Sequence, residues 1–463
     1  MAAVPGDLLT VRPGSAPDLA AADAVDPGPM PAFRAFRWIP CSMMRTPAAW
    51  RRRLTARPGL AGGRRSAHPA DVRRAGPGSW LGPVRLALGT ASALGLARFA
   101  YGLLVPAMRA ELGWSLAQAG ALTTANGLGY LLGAVATAPV ARRLGVTATF
   151  RLGMILTAVA LAATAVTSSY PLLLLTRAAA GAAGALVFIA GGVLASHAAA
   201  RLRSAVPLTI YFAGAGLGIA VSGTLIPPLL ADHPDRWPLA WAGLAAGAGL
   251  ATVISWTAAR PGPAGPEASA AATLIDLRAV RRLWRIATAY LLFAAGYIAY
   301  ITFLSAYLTA HQASTLQVAV TWTALGIAGM AAPALWSRPV STWPGASALA
   351  ASLAALSAAA AVALISAAPA VVAVSAIGYG ATFLVVPAAI TSLIHAAVPR
   401  ADWTRVLATF TVVFAVGQTV GPYLAGALAD RYGTGATLVW TAALCAAGAA
   451  LSTAVRTVPG RTG

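Results

Sequence analysis

The sequence predicts an all-α integral membrane protein with about twelve transmembrane helices. Of its 463 residues, 58% are hydrophobic and only 10% are charged, whereas a soluble domain has about 25% charged residues. From residue 82 onward the chain consists of successive apolar stretches, each close to the roughly 20 residues that a helix needs to cross a bilayer core. The charged residues lie mainly in the gaps between these stretches, as expected for spans joined by polar loops.

The chain divides into a polar N-terminal region, two sets of six spans and a linker. Residues 1–81 hold 12 arginines and 5 aspartates and no apolar run of signal-peptide length. We expect a basic, disordered cytoplasmic tail here, or an overlong predicted start with the true start near Met43 or Met44. The other expected units are a six-helix bundle at 82–259, a cytoplasmic linker at 260–283, a second six-helix bundle at 284–456 and a cytoplasmic tail at 457–463.

The individual spans follow from the apolar stretches in order. Those of the first set are predicted at 82–107, 117–140, 149–168, 171–195, 204–230 and 238–259. Those of the second set are predicted at 284–309, 317–337, 346–367, 369–397, 404–429 and 434–456. The arginines between spans indicate their orientation, because 15 lie on the side that holds both termini and only Arg109, Arg236 and Arg431 lie on the other. Since cytoplasmic loops carry the excess of arginine, both termini are predicted to be cytoplasmic.

The two sets of spans resemble each other weakly. Leu128-Gly129 in the second span recurs as Leu325-Gly326 in the eighth, and Asp232 recurs as Asp430, 198 positions later. Matching offsets at separate places favour a duplicated six-span unit in parallel orientation.

Three segments carry a resemblance to a known family: GLARFAYGLLVPAMRAELG at 95–113, ANGLGYLLG at 125–133 and GQTVGPYLAG at 417–426. They resemble the YbfB/YjiJ family of the major facilitator superfamily, and the resemblance covers about residues 82–456. It implies two six-helix bundles around a central cavity that opens to alternate sides of the membrane. It also implies a permease for a small solute, with proton-coupled efflux as one form.

Two superfamily motifs test the resemblance further. Arg177 and Gly181 resemble the arginine-glycine motif of the fourth span. The loop after the second span reads Ala-Arg-Arg-Leu-Gly at 141–145 and lacks the aspartate that such loops carry. A charge-relay gate at this loop is therefore not expected.

Two arginines, Arg98 and Arg177, lie well inside predicted spans, and no aspartate or glutamate does. Intramembrane charge is costly and marks function by default. Each arginine either locks helices together through carbonyl groups and aromatic faces, or binds an anionic substrate. The sequence leaves both interpretations open.

Uncharged polar residues inside the spans extend this set. The spacings of Arg98 with Tyr101 and of Asn126 with Tyr130 predict shared helix faces. The resemblance implies that spans 1, 4, 7 and 10 face the cavity. The predicted substrate-binding residues are Arg98, Tyr101, Asn126, Tyr130, Arg177, Tyr297, Tyr300, Tyr379 and Gln418. For any one tyrosine, the alternative is an interhelical hydrogen bond or an interfacial aromatic belt.

The sequence offers few residues that could couple transport to the movement of protons. Asp430 and His395 lie at span ends and are weak coupling candidates, so a facilitator without proton coupling stays an alternative. The small-x-x-x-small pairs on spans 2, 5 and 11 predict close helix contacts at the interface between the halves, with static packing as the alternative. These glycines are Gly129, Gly133, Gly214, Gly218, Gly417 and Gly421.

Other function classes are disfavoured by the sequence. The 33 arginines are not gathered on one stripe, which argues against nucleic-acid binding. Cys41 and Cys445 have no metal-ligand spacing, and no cofactor motif or hydrolase motif is present, so we expect no enzyme, metal or cofactor. The expected partners are the lipid bilayer and a small solute, which is anionic if one of the buried arginines binds it, and the expected state is a monomer in the bacterial cytoplasmic membrane. A transporter-like receptor that binds without moving solute remains a further alternative.

Overall fold

The computed structural model describes residues 80–259 and 276–455, which form a bundle of long helices. We number them α1 Leu81–Leu112, α2 Leu116–Leu144, α3 Val146–Ala165, α4 Tyr170–Leu202, α5 Val206–Leu230, α6 Trp237–Ser255, α7 Trp284–Ala310, α8 Thr315–Leu335, α9 Ser347–Ile365, α10 Pro369–Ala397, α11 Trp403–Tyr432 and α12 Gly435–Thr453. Short helices lie at Leu277–Arg282 and Ser337–Thr342. Most of the predicted tail at 1–81, most of the linker and the tail at 457–463 lie outside the described residues.

The predicted all-α membrane fold is confirmed. Eleven of the helices are long and apolar enough to cross a membrane. α2 is long enough, with 29 residues, but polar residues such as Gln118 and Asn126 make it less apolar. It nevertheless exposes a stripe of Leu128, Leu132 and Val135, which are spaced to share one helix face. Since its other sides pack on α4 and α11, this stripe is its lipid-facing side, and α2 is the twelfth span.

The helices alternate in direction and therefore create two loop faces. We call the face that holds the start of α1 and the end of α12 the tail face. The other face, with the α1–α2 and α11–α12 turns, is the opposite face. Helices α1–α6 pack together as a first half and α7–α12 as a second half. The halves meet where α5 packs on α8, α2 packs on α11, and the end of α1 nearest the opposite face packs on α7.

Hydrogen bonds join the two halves towards the opposite face. The hydroxyls of Thr123 and Thr302 lie 3.2 Å apart, and those of Thr224 and Thr323 lie 3.1 Å apart. The carboxylate of Asp430, at the end of α11, accepts hydrogen bonds from the first backbone N–H groups of α2. The halves are thus held together at the opposite face.

α1 is an irregular helix. It is α-helical at Leu81–Thr90, π-helical at Ala91–Phe99 and α-helical again at Tyr101–Leu112. Hydrogen bonds in a π-helix run from an N–H to the carbonyl five residues earlier, as from Ala100 to Gly95 at 2.9 Å. Each turn is wider than an α-helical turn, so the usual rule for side chains that share a face fails across this segment.

The predicted place of the six paired glycines is wrong: they pack inside the halves and not between them. β-carbons at Gly129 and Gly133 would collide with the backbone of α4, and β-carbons at Gly214 and Gly218 with the backbone of α1. Gly417 and Gly421 pack in the same way on α7.

Other glycines on the same helices make the contacts between the halves. Gly216 and Gly223 of α5 lie against α8, Gly326 of α8 lies against α5, and Gly120 of α2 lies against Pro422 of α11. Residues two positions apart on an α-helix point in nearly opposite directions. In helices this rich in glycine and alanine, the small-residue spacing therefore occurs on more than one face, and the sequence does not tell which face meets the other half.

Candidate functional site

Arg98 lies in the π-helical part of α1 and reaches the boundary between the halves. Its Nη2 donates to the hydroxyl of Tyr297 at 3.2 Å and to Oε1 of Gln418 at 2.5 Å. Its guanidinium carbon lies 5.5 Å from the centroid of the Tyr130 ring. Arg98 is only 5% exposed. A buried cation therefore joins α1 and α2 of the first half to α7 and α11 of the second.

Two buried donors of this cluster are free for a further acceptor. Arg98 Nε and Gln418 Nε2 have no hydrogen-bond partner within the described residues. The contacts of Arg98 in the same part of the chain are to uncharged groups, and none is to an aspartate or glutamate. Buried charge is costly unless it is paired. The cluster thus combines one positive charge with two unpartnered donor nitrogens, which is an arrangement suited to a ligand that carries negative charge.

Aromatic rings surround this cluster in both halves. In the second half, Tyr297 stacks on Phe293 at 4.8 Å between centroids and lies 5.7 Å from Phe414. In the first half, the Tyr130 ring lies 6.4 Å from that of Phe188. Rings at these distances interact favourably by stacking and edge contacts. The guanidinium of Arg98 therefore lies in largely aromatic surroundings.

Arg177 is placed differently from Arg98. Its Nη1 donates to the carbonyl of Ala97 at 2.6 Å, and its guanidinium carbon lies 5.0 Å and 5.1 Å from the ring centroids of Tyr101 and Trp241. All three partners belong to the first half, and Arg177 is fully buried. These contacts favour the helix-locking interpretation, in which Arg177 fastens α4 to α1 and α6.

Tyr101 and Asn126 belong to the surroundings of Arg177. Tyr101 donates from its hydroxyl to the Ala119 carbonyl at 2.8 Å and stacks on Trp241, whereas Asn126 donates to the Arg177 carbonyl at 3.1 Å. The predicted shared face of Arg98 and Tyr101 is wrong, because the two side chains have different neighbours. The reason is the wide π-helical turn that carries Arg98.

Tyr300 and Tyr379 pack within the second half. Their rings stack at 3.8 Å, and the Tyr300 hydroxyl lies 2.7 Å from the hydroxyl of Ser375. The Tyr379 hydroxyl donates to the carbonyl of Tyr297 at 2.7 Å. These tyrosines therefore support the helix segment that carries Tyr297, and their hydroxyls are already used in interhelical hydrogen bonds.

We expect Arg177→Ala to reduce stability and leave ligand recognition intact. The change removes the hydrogen bond to Ala97 and two cation–aromatic contacts, and it leaves a buried cavity. The melting temperature in detergent should fall by several degrees, while a ligand that stabilises the wild type still raises it by a similar amount. Loss of the ligand response at unchanged stability would instead make Arg177 a binding residue.

The two predicted coupling residues, Asp430 and His395, have contacts that do not include Arg98. Asp430 accepts from the backbone N–H groups of Leu116 at 2.7 Å and of Ala117 at 2.9 Å. A carboxylate at a helix N-terminus is stabilised by the unpaired N–H groups and by the helix dipole. We call this contact the Asp430 latch. His395 lies at the end of α10 on the tail face, exposed and stacked on Trp403 at 4.1 Å.

A cavity of about 420 Å³ opens on the opposite face. It lies between the ends of α1 and α7 beside the α11–α12 turn, and its lining includes Arg109, Trp114, Thr309 and Thr434. It is separated along α1 from Arg98 by the tightly packed segment in which Gly102 lies against Ile301 of α7. This cavity thus lies at the boundary between the halves and opens to this face.

Phenylalanine and tryptophan residues are the part of the site that sequence reasoning missed. Phe188, Phe414 and Trp241 have no polar signal that distinguishes them from other residues of apolar spans. The available sign was spacing: Phe414 precedes Gln418 by four positions on α11, which places both on one helix face.

Comparisons with known proteins agree with this architecture. Residues 90–457 match the family described as "Uncharacterised MFS-type transporter YbfB". No curated protein matches the sequence. The structure is similar to that of the nucleoside transporter NupG, with a TM-score of 0.60, 14% identity, and coverage of 80% of this chain and 98% of that one. A mutant form of NupG gives a TM-score of 0.61 at 13% identity, with coverage of 81% and 98%. At such identities the similarity shows the fold alone.

Proposed function

The chain belongs to the family of YbfB-like transporters of the major facilitator type, and from this premise we propose that it carries a small anionic solute across the membrane by alternating access. The family and the fold make it a membrane transporter. The solute class is the further step, and the buried, carboxylate-free cluster of Arg98 and Gln418 is the observation that supports it.

The position of Arg98 suits a residue that senses both halves. Its guanidinium contacts Tyr130 of the first half and Tyr297 and Gln418 of the second. An anion bound to Arg98 replaces or rearranges contacts that join the halves. Binding energy can then differ between the two orientations of the halves, which is the condition for a ligand to shift a conformational equilibrium.

The contacts between the halves support a rocking movement. They consist of close glycine-mediated packing of α5 on α8 and of α2 on α11, with few hydrogen bonds and a latch at one face. Such surfaces let helix backbones approach closely and slide. We propose that rocking about these contacts opens the path to Arg98 alternately from the tail face and from the opposite face.

We further propose a multi-pass location in the bacterial cytoplasmic membrane with the tail face in the cytoplasm. The excess of arginine on the tail face supports this orientation. Ser168→Cys on the opposite face and Ala205→Cys on the tail face, both at exposed turn positions, form a matched pair. In intact cells a membrane-impermeant maleimide should label position 168 and leave position 205 unlabelled until the cells are opened. Labelling of position 205 alone in intact cells would show that the orientation is the reverse of the one proposed.

Transport is tested with the purified full chain in proteoliposomes. Counterflow, in which an excess of unlabelled solute inside drives uptake of labelled solute, needs no energy coupling. We expect counterflow for an anionic solute and none for its neutral amide. Binding without counterflow would make the chain a receptor, and counterflow of neutral or cationic solutes with no anion would overturn the proposed solute class.

The same proteoliposomes test whether transport of the solute is coupled to a proton gradient. Proton-coupled export predicts that an imposed pH gradient drives accumulation against the solute gradient. A facilitator gives counterflow without such accumulation. The contacts of Asp430 and His395 do not favour either residue as a proton carrier at Arg98. We therefore propose that the charge of the solute, rather than a protein carboxylate, couples transport to the membrane potential.

A further inference from the structure

We propose that the solute is an aromatic monocarboxylate, whose carboxylate binds Arg98 and Gln418 and whose ring lies between Tyr130 and Phe414. This inference rests on the proposed anion transport and adds the shape and charge number of the solute. Three observations support it: the donors that remain free at Arg98 and Gln418, the single guanidinium that lies at the boundary between the halves, and two half-buried rings that face this boundary.

The free donors fit a carboxylate. Arg98 Nε and Gln418 Nε2 are buried, and neither has a partner in the described parts of the chain. Arg98 Nη2 holds Gln418 Oε1 at 2.5 Å, so the two side chains are fixed beside each other. A carboxylate has two oxygens in one plane and suits a guanidinium with a second, neighbouring N–H donor.

The charge number follows from the contacts of the two buried arginines. The partners of Arg177 are Tyr101, Trp241 and the Ala97 carbonyl, all within the first half. Its Nε and Nη2 have no hydrogen-bond partner in the described residues either, but Arg98 is the arginine whose contacts reach the second half. One guanidinium neutralises one negative charge. A dianion such as a phosphate monoester would keep a buried net charge, which is costly in a membrane.

The rings of Tyr130 and Phe414 face the boundary between the halves and not lipid. Tyr130 and Phe414 are half-buried, although each lies near the middle of its span. On α2 the lipid-facing stripe includes Leu128 and Leu132. Tyr130 is two positions from each, and hence about 200° away around the helix.

The same relation holds on α11. Val416 and Val420 are exposed, and Phe414 lies two positions before the first, again about 200° away around the helix. Phe414 also lies one turn from Gln418 and 5.7 Å from the ring of Tyr297. Tyr130 lies 5.5 Å from the Arg98 guanidinium carbon. Tyr130 and Phe414 therefore both face the boundary between the halves on the side of Arg98 and Gln418, where a flat apolar body that entered would gain stacking contacts.

The test measures thermal stabilisation of the purified full chain by four matched probes: benzoate, cyclohexanecarboxylate, benzamide and phenylphosphonate. A ligand that binds the folded state stabilises it by RT ln(1 + [L]/Kd), so at equal concentrations the tighter ligand raises the melting temperature more. We expect benzoate to stabilise the protein, with binding about ten-fold tighter than for cyclohexanecarboxylate, which has the same charge without a flat ring. The measurements are made at an alkaline pH of about 8.5, where phenylphosphonate is a dianion. Benzamide and phenylphosphonate should then bind at least about ten-fold more weakly than benzoate, because the first is neutral and the second carries two negative charges.

Phe414→Leu tests the ring contact directly. It should weaken benzoate binding about three- to ten-fold, the range of an aromatic pair, and leave cyclohexanecarboxylate binding unchanged. Tyr423→Leu is the control, since Tyr423 is on the same helix and 49% exposed on another side. It should change neither.

The outcomes separate this inference from the proposed function. Equal binding of benzoate and cyclohexanecarboxylate overturns the aromatic class and leaves anion transport standing. Tighter binding of phenylphosphonate than of benzoate overturns the inference that the solute carries a single negative charge. Equal binding of benzamide and benzoate overturns both the inference and the proposed anionic solute. No response to benzoate, together with counterflow of another anion, overturns the inference alone.

Discussion

Arg98→Gln should abolish recognition of the anionic solute while the protein still folds. The glutamine amide can donate to Gln418 or Tyr297, so the neighbours keep a polar partner, but the positive charge is lost. Removal of one member of a buried, hydrogen-bonded charge pair costs about 2–5 kcal/mol, which corresponds to roughly a 30-fold to several-thousand-fold loss of affinity. Counterflow of the anion and its thermal stabilisation should therefore both disappear at accessible concentrations.

Stability provides the control for this prediction. The melting temperature of Arg98→Gln without ligand should equal or exceed that of the wild type, because a buried guanidinium with an unpartnered Nε is removed. Arg98→Lys keeps the charge but loses the planar arrangement of donors, so we expect weakened recognition that is not fully lost. A large fall in melting temperature for Arg98→Gln, with ligand binding retained in the folded fraction, would assign Arg98 to helix locking instead.

Asp430→Asn should open the opposite face. An asparagine still caps a helix N-terminus, but it loses the negative charge that favours the helix dipole and accepts from one oxygen rather than two. The carboxylate is well exposed, so screening by water reduces this term. We estimate that the population with separated halves on this face rises about three- to ten-fold, the equivalent of roughly 1 kcal/mol.

Cysteine accessibility measures this population. Thr302 is 2% exposed and lies at the contact between the halves, opposite Thr123. A cysteine at position 302 should react with a polar maleimide faster in the Asp430→Asn background than with Asp430 intact. Asp232→Asn is the matched control, since Asp232 is the repeat-related acid on an exposed loop of the same face. Equal rates in all three backgrounds would show that the latch does not hold this face shut.

The fold class was predictable because the membrane demands long apolar helices, and composition alone reveals them. α2 is instructive: it is not apolar enough by composition, yet its lipid-facing Leu128, Leu132 and Val135 and its alternation with the other spans identify it. Polar residues inside the spans were also identifiable from the sequence because they are scarce there, although which of them are neighbours was not. Arg98 and Gln418 stood out as buried polar groups, and the structure places them 2.5 Å apart.

Local helix geometry and the direction of small-residue stripes were not predictable. The sequence at Ala91–Phe99 is compatible with an ordinary α-helix. Its π-helical form occurs where Gly95 packs closely on Gly218 of α5, a tertiary contact that the local sequence does not reveal. The spacing that places Gly214 and Gly218 on one face also leaves Gly216 on another. Which face meets the other half depends on contacts between helices that lie far apart in sequence.

The buried cation without a carboxylate partner also has an electrical consequence. When the carrier is empty, the boundary between the halves holds the charge of Arg98, and its reorientation moves that charge relative to the membrane field, which is worth about 2.3 kcal/mol per elementary charge per 100 mV. When a monoanion is bound, the pair is neutral and reorientation is insensitive to voltage. Each complete cycle then moves one negative charge, so an interior-negative membrane drives the anion outward. If the solute is the monoanion proposed above, we therefore expect an interior-negative membrane potential to favour its export, without any proton on the protein.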